Sequence, residues 1–466
     1  MVVVGGGITG LAAAHRVTEL DPSVEVIVLE AGHRAGGVLE SIHRDGFLVE
    51  HSADNFITNV PWAVDLCRRV GLGDELISTR VEQRGALVVH RGKLVRVPEG
   101  FMLLAPARLW PLVTTPLLSP WGKLRLLAEV LVPRRAESSD ESLAAFARRR
   151  LGREAFERIV QPLVGGIYTA DPEKLSLEST LPRFLEMERR YGSLIRAARA
   201  GRADSGHGSQ ESGARYGLFA TLRGGLSTLV NALLARLPER SLRLATSAER
   251  VDREPDGSWM VQLATGSVRC DGVIVTTPAY QAAALLAGVD EGIASVLRQI
   301  EYAGTSIVSL GYRRHQIDRA LDGFGFVVPA VEKRRILAGS FSSVKFDGRA
   351  PDDNVLIRVF IGGACQGELA NLPDAELRAI AVEELASLLQ IRGEPALVDI
   401  ARWPSSMPQY HLGHGERVAA IERGIARHAG LELAGNAYHG VGIPHCIHGG
   451  ELAAERIVQS LRMPAL

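Results

Sequence analysis

Val2-Val3-Val4-Gly5-Gly6-Gly7-Ile8-Thr9-Gly10 is the stretch that decides the fold. An apolar run stops at a glycine cluster, and a helical pattern from Leu11 to Val17 follows. A second apolar run, from Val24 to Leu29, ends at Glu30. Strand, glycine turn, helix, strand and terminal acid are the parts of a dinucleotide-binding βαβ unit in the required order. The sequence therefore predicts a nucleotide site at the start of the chain.

Each part of this motif has a physical reason. Gly5 allows a tight turn, Gly7 lets a pyrophosphate approach the backbone, and Gly10 lets the helix pack close to the strand. The free N–H groups and the positive dipole end of the helix face the phosphates. Glu30 lies about 20 residues on, where a carboxylate accepts hydrogen bonds from ribose hydroxyls. Only the residues from Met1 to Val4 precede the glycines, so we expect either a short first strand or an earlier start of the chain.

The residues after Glu30 indicate which nucleotide is bound. Ala31, Arg34 and the pair Gly36-Gly37 follow the acid directly. A nicotinamide enzyme has no need for a second glycine pair and an arginine here, whereas the string resembles the extended signature of flavoproteins of the amine oxidase type. In that resemblance FAD lies along the βαβ unit, with Arg34 and the glycine pair near its pyrophosphate. An Arg/Gly-rich surface turn is the alternative interpretation.

Composition limits the class of protein. With 466 residues and 46% hydrophobic content, the chain can build one large core or about two to three smaller ones. A formal net charge of +0 gives no reason to expect nucleic acid as a partner. The 4 cysteines are far apart and form no CxxC pair, so we expect neither a disulfide framework nor a metal site. No signal peptide or transmembrane run is visible, and a cytoplasmic, reducing location fits.

The order of the patterns predicts intertwined domains. Cys270 to Thr277 is typical of a buried strand that returns to the nucleotide sheet, and the strand-like runs between 301 and 362 predict a second, mostly antiparallel sheet. The expected fold class is α/β (α+β overall). The predicted parts are a Rossmann-like FAD-binding domain (1–83, 215–290 and 403–466), a substrate-binding sheet domain (84–100 and 291–402) and a helical domain (101–214).

The helical domain carries two further features. Phe101 to Val132 is apolar, contains Trp110 and Trp121, and leads into Arg134-Arg135. Tryptophan beside basic residues is typical of a face that lies on a membrane, and a helical wall around an apolar substrate cavity is the alternative, which the prolines favour. Leu181 to Ala200 is predicted to be one arginine-rich helix with a solvated face, followed by a mobile Gly/Ser-rich loop at 201–213.

The last motif joins a strand, glycine turns and a helix. Gly440 to Pro444 precedes a helix predicted from about His445 to Leu461. A helix N-terminus next to a flavin would stabilise negative charge on the reduced ring, and a βα end-cap without a ligand is the alternative. The histidines in this motif could act as general bases, but we interpret them as structural, because histidines in glycine-rich turns are commonly so. They are His439, His445 and His448.

The middle and C-terminal motifs indicate a family. Over its whole length the chain resembles the oxygen-dependent protoporphyrinogen/coproporphyrinogen oxidases of haem biosynthesis. The resemblance implies an oxidoreductase acting on CH–CH donors, in which FAD oxidises a porphyrinogen through flavin N5 with no catalytic side chain, and oxygen becomes hydrogen peroxide. Gly442-Ile443-Pro444 favours coproporphyrinogen III, with protoporphyrinogen IX left open. The motifs that carry the resemblance are Gly5-x-Gly7-x-x-Gly10, Leu163–Ala170, Leu175-Ser176, Gly323–Pro329, Met407–Tyr410 and Gly435–Ile447.

The resemblance also implies particular contacts and partners. Peripheral contact with the inner face of the cell membrane, a homodimer and hand-over to the next haem-pathway enzyme are the further partners that it allows. The implied substrate contacts are Gly166, Phe324, Gly325 and Phe326. The implied FAD contacts are Gly5, Gly6, Gly7, Ile8, Thr9, Gly10, Glu30, Ala31, Arg34, Gly36, Gly37, Ser52, Ala53, Asp54, Asn55, Val251, Trp403, Val441, Gly442 and Ile443.

Two other readings stay open. One is a different flavin oxidase, such as an amine oxidase or a carotenoid desaturase. Amine oxidases of this fold commonly use a lysine near the flavin, and only Lys333 and Lys345 lie in a plausible region. The other is a flavin-binding protein that carries porphyrin without turnover.

Overall fold

The structure is a computed structural model that describes residues 1–80, 85–135, 139–204 and 219–462. Its strands, in chain order, are β1 Val2–Val4, β2 Ile27–Leu29, β3 Ser41–Arg44, β4 Phe47–Glu50, β5 Phe56–Ile57, β6 Leu76–Ser78, β7 Leu87–His90, β8 Lys93–Arg96, β9 Phe101–Met102, β10 Ala105–Pro106, β11 Phe219–Leu222, β12 Leu242–Arg243, β13 Ala248–Arg253, β14 Trp259–Leu263, β15 Gly266–Cys270, β16 Val273–Val275, β17 Tyr302–Arg313, β18 Gly325–Val327, β19 Ala338–Phe341, β20 Asn354–Gly362, β21 Leu397–Pro408 and β22 Leu431–Leu433. Its helices are α1 Ile8–Leu20, α2 Trp62–Arg69, α3 Trp110–Thr114, α4 Pro120–Leu127, α5 Leu143–Leu151, α6 Arg153–Ala155, α7 Gln161–Tyr168, α8 Leu177–Thr180, α9 Pro182–Tyr191, α10 Leu194–Asp204, α11 Ser227–Leu234, α12 Ala279–Leu286, α13 Glu291–Leu297, α14 Ser342–Lys345, α15 Asp374–Leu389, α16 His414–Ile425 and α17 Ile443–Arg462.

A parallel five-stranded sheet in the order β12-β2-β1-β16-β22 holds the N-terminal motif. The short strand β1 lies at its centre, with Val3 opposite Val28 on one side and Ile274 on the other. The predicted return of the Cys270–Thr277 stretch to this sheet is therefore confirmed. Helices α1 and α17 cover one face, and α12, α13 and α16 cover the other. Burial on both faces explains why these short strands are almost purely apolar.

A seven-stranded sheet in the order β21-β17-β20-β19-β18-β7-β8 forms the second layer. Its strands pair antiparallel, except for the parallel pair β18 and β7, which confirms the predicted mostly antiparallel sheet. Helix α15 packs on one face through side chains such as Leu377 and Leu385. Helices α3 to α10, which we call the helical segment, pack on the other face, where they meet Val88 and Val327. The predicted boundaries between the three domains stay a prediction.

The helical segment has a core of its own, which includes Phe146, Leu177 and Phe184. The predicted single helix from Leu181 to Ala200 is wrong, because the structure has two helices, α9 and α10. Gly192 ends α9 in a left-handed conformation with φ +69°, a common C-terminal cap that a helix cannot continue through. Helix α10 reaches Asp204, and the rest of the predicted mobile loop at 201–213 lies outside the described residues.

In the described parts of the chain, no helix is both long enough and apolar enough to cross a bilayer.

Candidate functional site

The turn between β1 and α1 has the geometry of a phosphate-binding loop. A Cβ atom on Gly10 would stand 2.0 Å from the carbonyl oxygen of Gly5, so only glycine lets the first turn of α1 close over the end of the strand. Gly7 is the residue at the N-cap of α1 and makes no side-chain cap hydrogen bond. The N–H groups of the first helical turn are therefore available to an anionic ligand, next to the positive end of the helix dipole.

The second glycine pair lies directly on the first. The Gly36 N–H donates to the Gly6 carbonyl at 2.8 Å, and a Cβ atom on Gly37, where φ is +59°, would stand 3.1 Å from the Gly7 Cα. The two backbone segments touch with no side chain between them. Arg34 fixes this arrangement by donating to the carbonyl of Gly37 at 2.8 Å. Its guanidinium thus shapes the turn itself.

Glu30 is held in place by backbone amides. Gly6 donates to one carboxylate oxygen at 2.8 Å, and Gly32 donates to the other at 2.7 Å. A carboxylate has about four acceptor positions, so these two bonds orient the group and leave positions for hydroxyls. Ala31, the next residue, is exposed. This placement agrees with the role expected of the acid at the end of β2.

The two ends of the chain meet at this turn. Gly450 of α17 packs against α1 so closely that a Cβ atom there would stand 2.3 Å from the Thr9 carbonyl oxygen. Ile443 and Ile447 share an apolar cluster with Ile8 at the start of α1. The two helices run parallel, since Thr9 meets Gly450 and Arg16 meets Glu455, and α17 begins about two turns before the Thr9 contact. The positive dipole ends of both helices therefore face the same side of the sheet. The structure brings the first and last predicted cofactor segments together.

Tyr410 holds the turn that precedes α17. Its hydroxyl donates to the Asn436 carbonyl at 2.6 Å and accepts from the Gly440 N–H at 2.8 Å. Burial raises the pKa of Tyr410 well above its ordinary value, so the hydroxyl keeps its proton. The Met407–Tyr410 motif quoted above therefore supports the C-terminal turn from beneath.

The loop of residues 52–55 is the third predicted cofactor segment, and it contacts the seven-stranded sheet. Trp403 donates its indole N–H to the His51 carbonyl at 2.6 Å, which places two predicted cofactor segments in contact. Ala53 is exposed and Asp54 is buried, so neighbouring residues face opposite sides of the loop. The Ser52 hydroxyl is buried and has no hydrogen-bond partner within the described residues. Sequence reasoning considered Lys345 only as a possible amine-oxidase lysine and missed that Lys345 and Arg358 pair with Asp54 from distant segments, because no local signal marks this pairing.

Val251 and Val441 lie at the edges of this arrangement. Val251 is fully buried in the same core cluster as Val4 and Val275, so a ligand could reach only its backbone. Val441 packs against the core of the helical segment. Gly442 lies in contact with the His445 ring, since a Cβ atom there would stand 3.4 Å from its Nδ1 atom.

The predicted substrate residues do not all face one space. Gly166 in α7 lies against β18, since its Cβ atom would stand 3.1 Å from a methyl group of Val327. Gly325 is pressed against β19, and Phe324 is buried. Phe326 points to the opposite face of the sheet, into the core shared with α15. Val327, and not Phe326, therefore meets Gly166; strand alternation from Phe326 was the available signal for this.

The histidines next to α17 make packing contacts. The His448 ring stacks on Trp62 with centroids 4.0 Å apart, and the His445 ring meets the edge of the same indole at 5.2 Å. Burial lowers the pKa of both His445 and His448, so both are mainly neutral near pH 7. His439 pairs with Glu422 at 2.8 Å. These contacts agree with a structural interpretation, and Trp62 is the partner that sequence reasoning missed.

The fold and the site together define a class. A parallel nucleotide sheet with converging helix N-termini, packed beside an antiparallel sheet, is the architecture of a flavin-dependent oxidoreductase. The family model of the flavin containing amine oxidoreductases matches residues 8–458, so the chain belongs to that family and its cofactor is a flavin.

Individual relatives are similar over nearly the whole chain. A coproporphyrinogen III oxidase from Propionibacterium freudenreichii subsp. freudenreichii is 36% identical over 99% of this chain and 91% of its own length. The mitochondrial protoporphyrinogen oxidase of Nicotiana tabacum is 27% identical over 99% of this chain and 95% of its own length. The crystal structure of an Exiguobacterium sp. 255-15 protein assigned as a protoporphyrinogen oxidase matches with a TM-score of 0.87 at 29% identity. The match covers 99% of this chain and 98% of that chain.

The residues present fit a flavin dinucleotide. The Gly7–Gly37 contact offers bare backbone to a pyrophosphate, and the adjacent helix ends favour negative charge. Ser52 Oγ and His445 Nδ1 are buried atoms without hydrogen-bond partners among the described residues. Ser52 belongs to the predicted cofactor loop, and His445 lies two residues after the last predicted contact, Ile443. Buried polar atoms are seldom left unpaired in a complete site. The unpaired atoms are thus consistent with a polar ligand at this place.

Proposed function

We propose that this protein binds FAD and oxidises a porphyrinogen to the porphyrin in haem biosynthesis, with coproporphyrinogen III as the substrate and molecular oxygen as the electron acceptor. The observation that carries the proposal is the close packing of α17 against the start of α1 at the glycine turn, with both helix N-termini facing the same side. The greater similarity to the relative named coproporphyrinogen III oxidase than to the one named protoporphyrinogen oxidase supports the choice of substrate.

The cofactor-binding residues have separate roles in this proposal. The amides of Gly7 to Gly10 bind the pyrophosphate, and Glu30 accepts from the ribose hydroxyls. The start of α17, from Val441 to Ile443, lies at the flavin ring, where its N–H groups stabilise negative charge. When bound, the flavin supplies the hydride-accepting N5 atom and the electrons that convert oxygen to hydrogen peroxide.

The chain itself contributes position and the exclusion of water. Helix α7 meets β18 at the Gly166–Val327 contact, and the apolar core of the helical segment continues behind it. A macrocycle that packs against these surfaces would be fixed relative to the cofactor, and its oxidation would need no acid or base from the protein. Protons released from the macrocycle pass to solvent.

The lysine placement speaks against an amine oxidase. Lys345 is paired with Asp54 at 3.1 Å, and its side chain is only 11% exposed. Lys333 is exposed on a turn after β18. Lys345 is thus held by Asp54 and is not a free amine, which counts mildly against an amine oxidase that uses a lysine near the flavin.

The experiment measures turnover of two substrates. Purified, FAD-loaded protein is mixed in air with coproporphyrinogen III or protoporphyrinogen IX, and porphyrin fluorescence and hydrogen peroxide are followed. We expect both signals to rise, faster with coproporphyrinogen III. A porphyrinogen that binds and stays unchanged would indicate a carrier, and faster turnover of protoporphyrinogen IX would overturn the substrate assignment.

We further propose that the helical segment rests on a membrane surface. Trp110 and Trp121 are 76% and 79% exposed on the consecutive helices α3 and α4, and Leu131 is 79% exposed just beyond them. Large exposed apolar side chains in one part of a chain indicate an interaction surface, and tryptophan prefers the membrane interface.

A further inference from the structure

Five buried charged side chains pack behind the loop of residues 52–55, and we call them the buried cationic cluster. They are Glu50, Asp54, Lys345, Arg349 and Arg358. Glu50 and Asp54 come from the nucleotide-binding segment, and the three cations come from α14, β20 and the turn between them. Side chains with charge are seldom buried unless they are paired, so this grouping has to be explained.

Asp54 is the acceptor at the centre of the cluster. Its carboxylate lies 3.1 Å from the Lys345 ammonium and 3.5 Å from the Arg358 guanidinium. Arg358 also donates to the Ser52 carbonyl. Burial alone would raise the pKa of Asp54, but the charges of Lys345 and Arg358 outweigh it and lower the pKa to about 2. Asp54 is therefore ionised under all working conditions.

The remaining two members do not neutralise each other. Arg349 donates to the backbone carbonyls of Arg223 at 2.9 Å and Leu222 at 2.8 Å. Glu50 accepts from the Ser41 hydroxyl at 2.7 Å and the Leu226 N–H at 2.9 Å, and burial raises its pKa. The cluster thus has one more cation than carboxylates, in a region where the low dielectric makes charge act strongly.

This charge lies directly behind the predicted cofactor loop. Asp54 faces the cluster while Ala53, its neighbour, faces out. Arg358 and Trp403 hold the backbone at Ser52 and His51 from the sheet side. The loop therefore lies between the buried cations and its own exposed side, which is where the proposed function places the flavin.

We propose that the buried cationic cluster raises the reduction potential of the flavin, because its excess positive charge stabilises the reduced, negatively charged cofactor. Lys345 is the cation of the cluster whose replacement should change this potential. This inference rests on the proposed function for the position of the flavin. Fixed charge near a cofactor changes its electronics without touching the substrate. Lys345 is a positioning residue, because it holds Asp54 in the cofactor loop and its positive charge acts on the flavin through the electric field.

The test compares variants that change the charge in opposite directions. Lys345→Met removes a positive charge and Asp54→Asn removes a negative one, so we expect the first to lower and the second to raise the flavin reduction potential, measured by equilibration with reference dyes. A tenfold change in the reduction equilibrium corresponds to about 30 mV for this two-electron couple, and we expect a shift of about that size. Lys345→Arg keeps the charge and should restore the parent value.

Controls separate charge from folding. Lys93→Met removes an exposed lysine at the edge of the same sheet and should leave the potential unchanged. The double variant Lys345→Met/Asp54→Asn has the parent's net charge, so its potential should return to the parent value even where the single variants bind flavin poorly. Shifts of the same sign in both single variants, no shift at all, or loss of flavin from the double variant would each overturn the inference. A normal potential pattern in protein that leaves porphyrinogens unchanged would contradict the proposed function alone.

Discussion

Gly450 of α17 lies so close to Thr9 of α1 that a Cβ atom on Gly450 would stand 2.3 Å from the Thr9 carbonyl oxygen. A Cβ atom on the neighbouring Gly449 would have no atom of another described element within 4 Å. The contact joins the helix that starts the chain to the helix that ends it. Because only backbone separates the helices here, the start of α17 is held in a fixed position relative to the glycine turn before α1.

The first prediction uses this pair of adjacent glycines. Gly450→Ala should push α17 away from α1, weaken flavin binding by at least tenfold and lower the thermal midpoint of the holoprotein, because the start of α17 then moves away from the glycine turn. Gly449→Ala should leave flavin binding unchanged and add up to about 1 kcal/mol of stability through helix propensity. Flavin dissociation constants of the two variants check this. Equal affinities would show that the helix contact does not set the cofactor site.

A second prediction concerns the pH dependence of stability at His51. Its ring lies 2.8 Å from Glu40 and 2.9 Å from Asp399, and its hydrogen bond to Asp399 raises its pKa above the ordinary value. The protonated ring stabilises the fold, so its contribution is complete below about pH 6.5 and is lost as the pH rises through the raised pKa. Arg34 and Arg44 pair with the same carboxylates.

His51→Gln should therefore cost about 2 kcal/mol of unfolding free energy near pH 6 and clearly less near pH 9. Urea denaturation at the two pH values measures this difference. His43→Gln, at an exposed position on β3, is the matched control and should leave the unfolding free energy unchanged at both pH values. A loss of stability at His51 that is the same at both pH values would refute the charged interaction.

The third prediction tests the fully buried pair Arg150 and Glu129 in the helical segment. Arg150→Met leaves a buried carboxylate without its cation and should cost about 3–5 kcal/mol of unfolding free energy. The double variant Arg150→Met/Glu129→Gln should lose less than the single variant, because residue 129 no longer carries an unpaired buried charge. Glu188, the other partner of Arg150, keeps its ion pair with Arg149. Arg153→Met, which breaks an exposed pair with Glu157, should cost at most about 1 kcal/mol. Denaturant titrations compare the three, and a double variant that loses as much stability as Arg150→Met, or more, would contradict the expected coupling.

A fourth prediction addresses the substrate side. Gly166→Ala places a methyl group 3.1 Å from Val327, so α7 and β18 must separate slightly, and kcat/KM for the porphyrinogen should fall by up to about tenfold at unchanged flavin content. Gly165→Ala makes only an ordinary contact, 3.5 Å from Gln161, and serves as the control. The double variant Gly166→Ala/Val327→Ala should recover activity. Equal kinetics for the two alanine variants would remove Gly166 from the substrate surface.

The fifth prediction concerns the exposed tryptophans. Replacing Trp110 and Trp121 together by serine should reduce sedimentation with vesicles that contain anionic lipid by about tenfold, with turnover of free porphyrinogen unchanged. Leu244→Ser, which removes a 40% exposed apolar side chain elsewhere, should have no effect. A parent protein that does not sediment with the vesicles would contradict the membrane proposal.

The sequence by itself determined the local units of this protein. Apolar runs, glycine spacing and the acid at residue 30 specify β1, α1 and β2, because each of these units depends on interactions between near neighbours. The same reasoning gave the second sheet, yet it placed one helix across Gly192, where a left-handed residue ends α9. It also selected Phe326, whose side chain faces the α15 core, instead of Val327.

Only the tertiary structure decided what surrounds the cofactor loop. Lys345 and Arg358 reach Asp54 from roughly three hundred residues away, and Gly450 meets Thr9 across almost the whole chain. No local pattern encodes these contacts, because they depend on how a parallel and an antiparallel sheet pack together. The sequence therefore determined the nucleotide-binding unit and the family, while the packing of distant segments decided the charge and the close contacts around it.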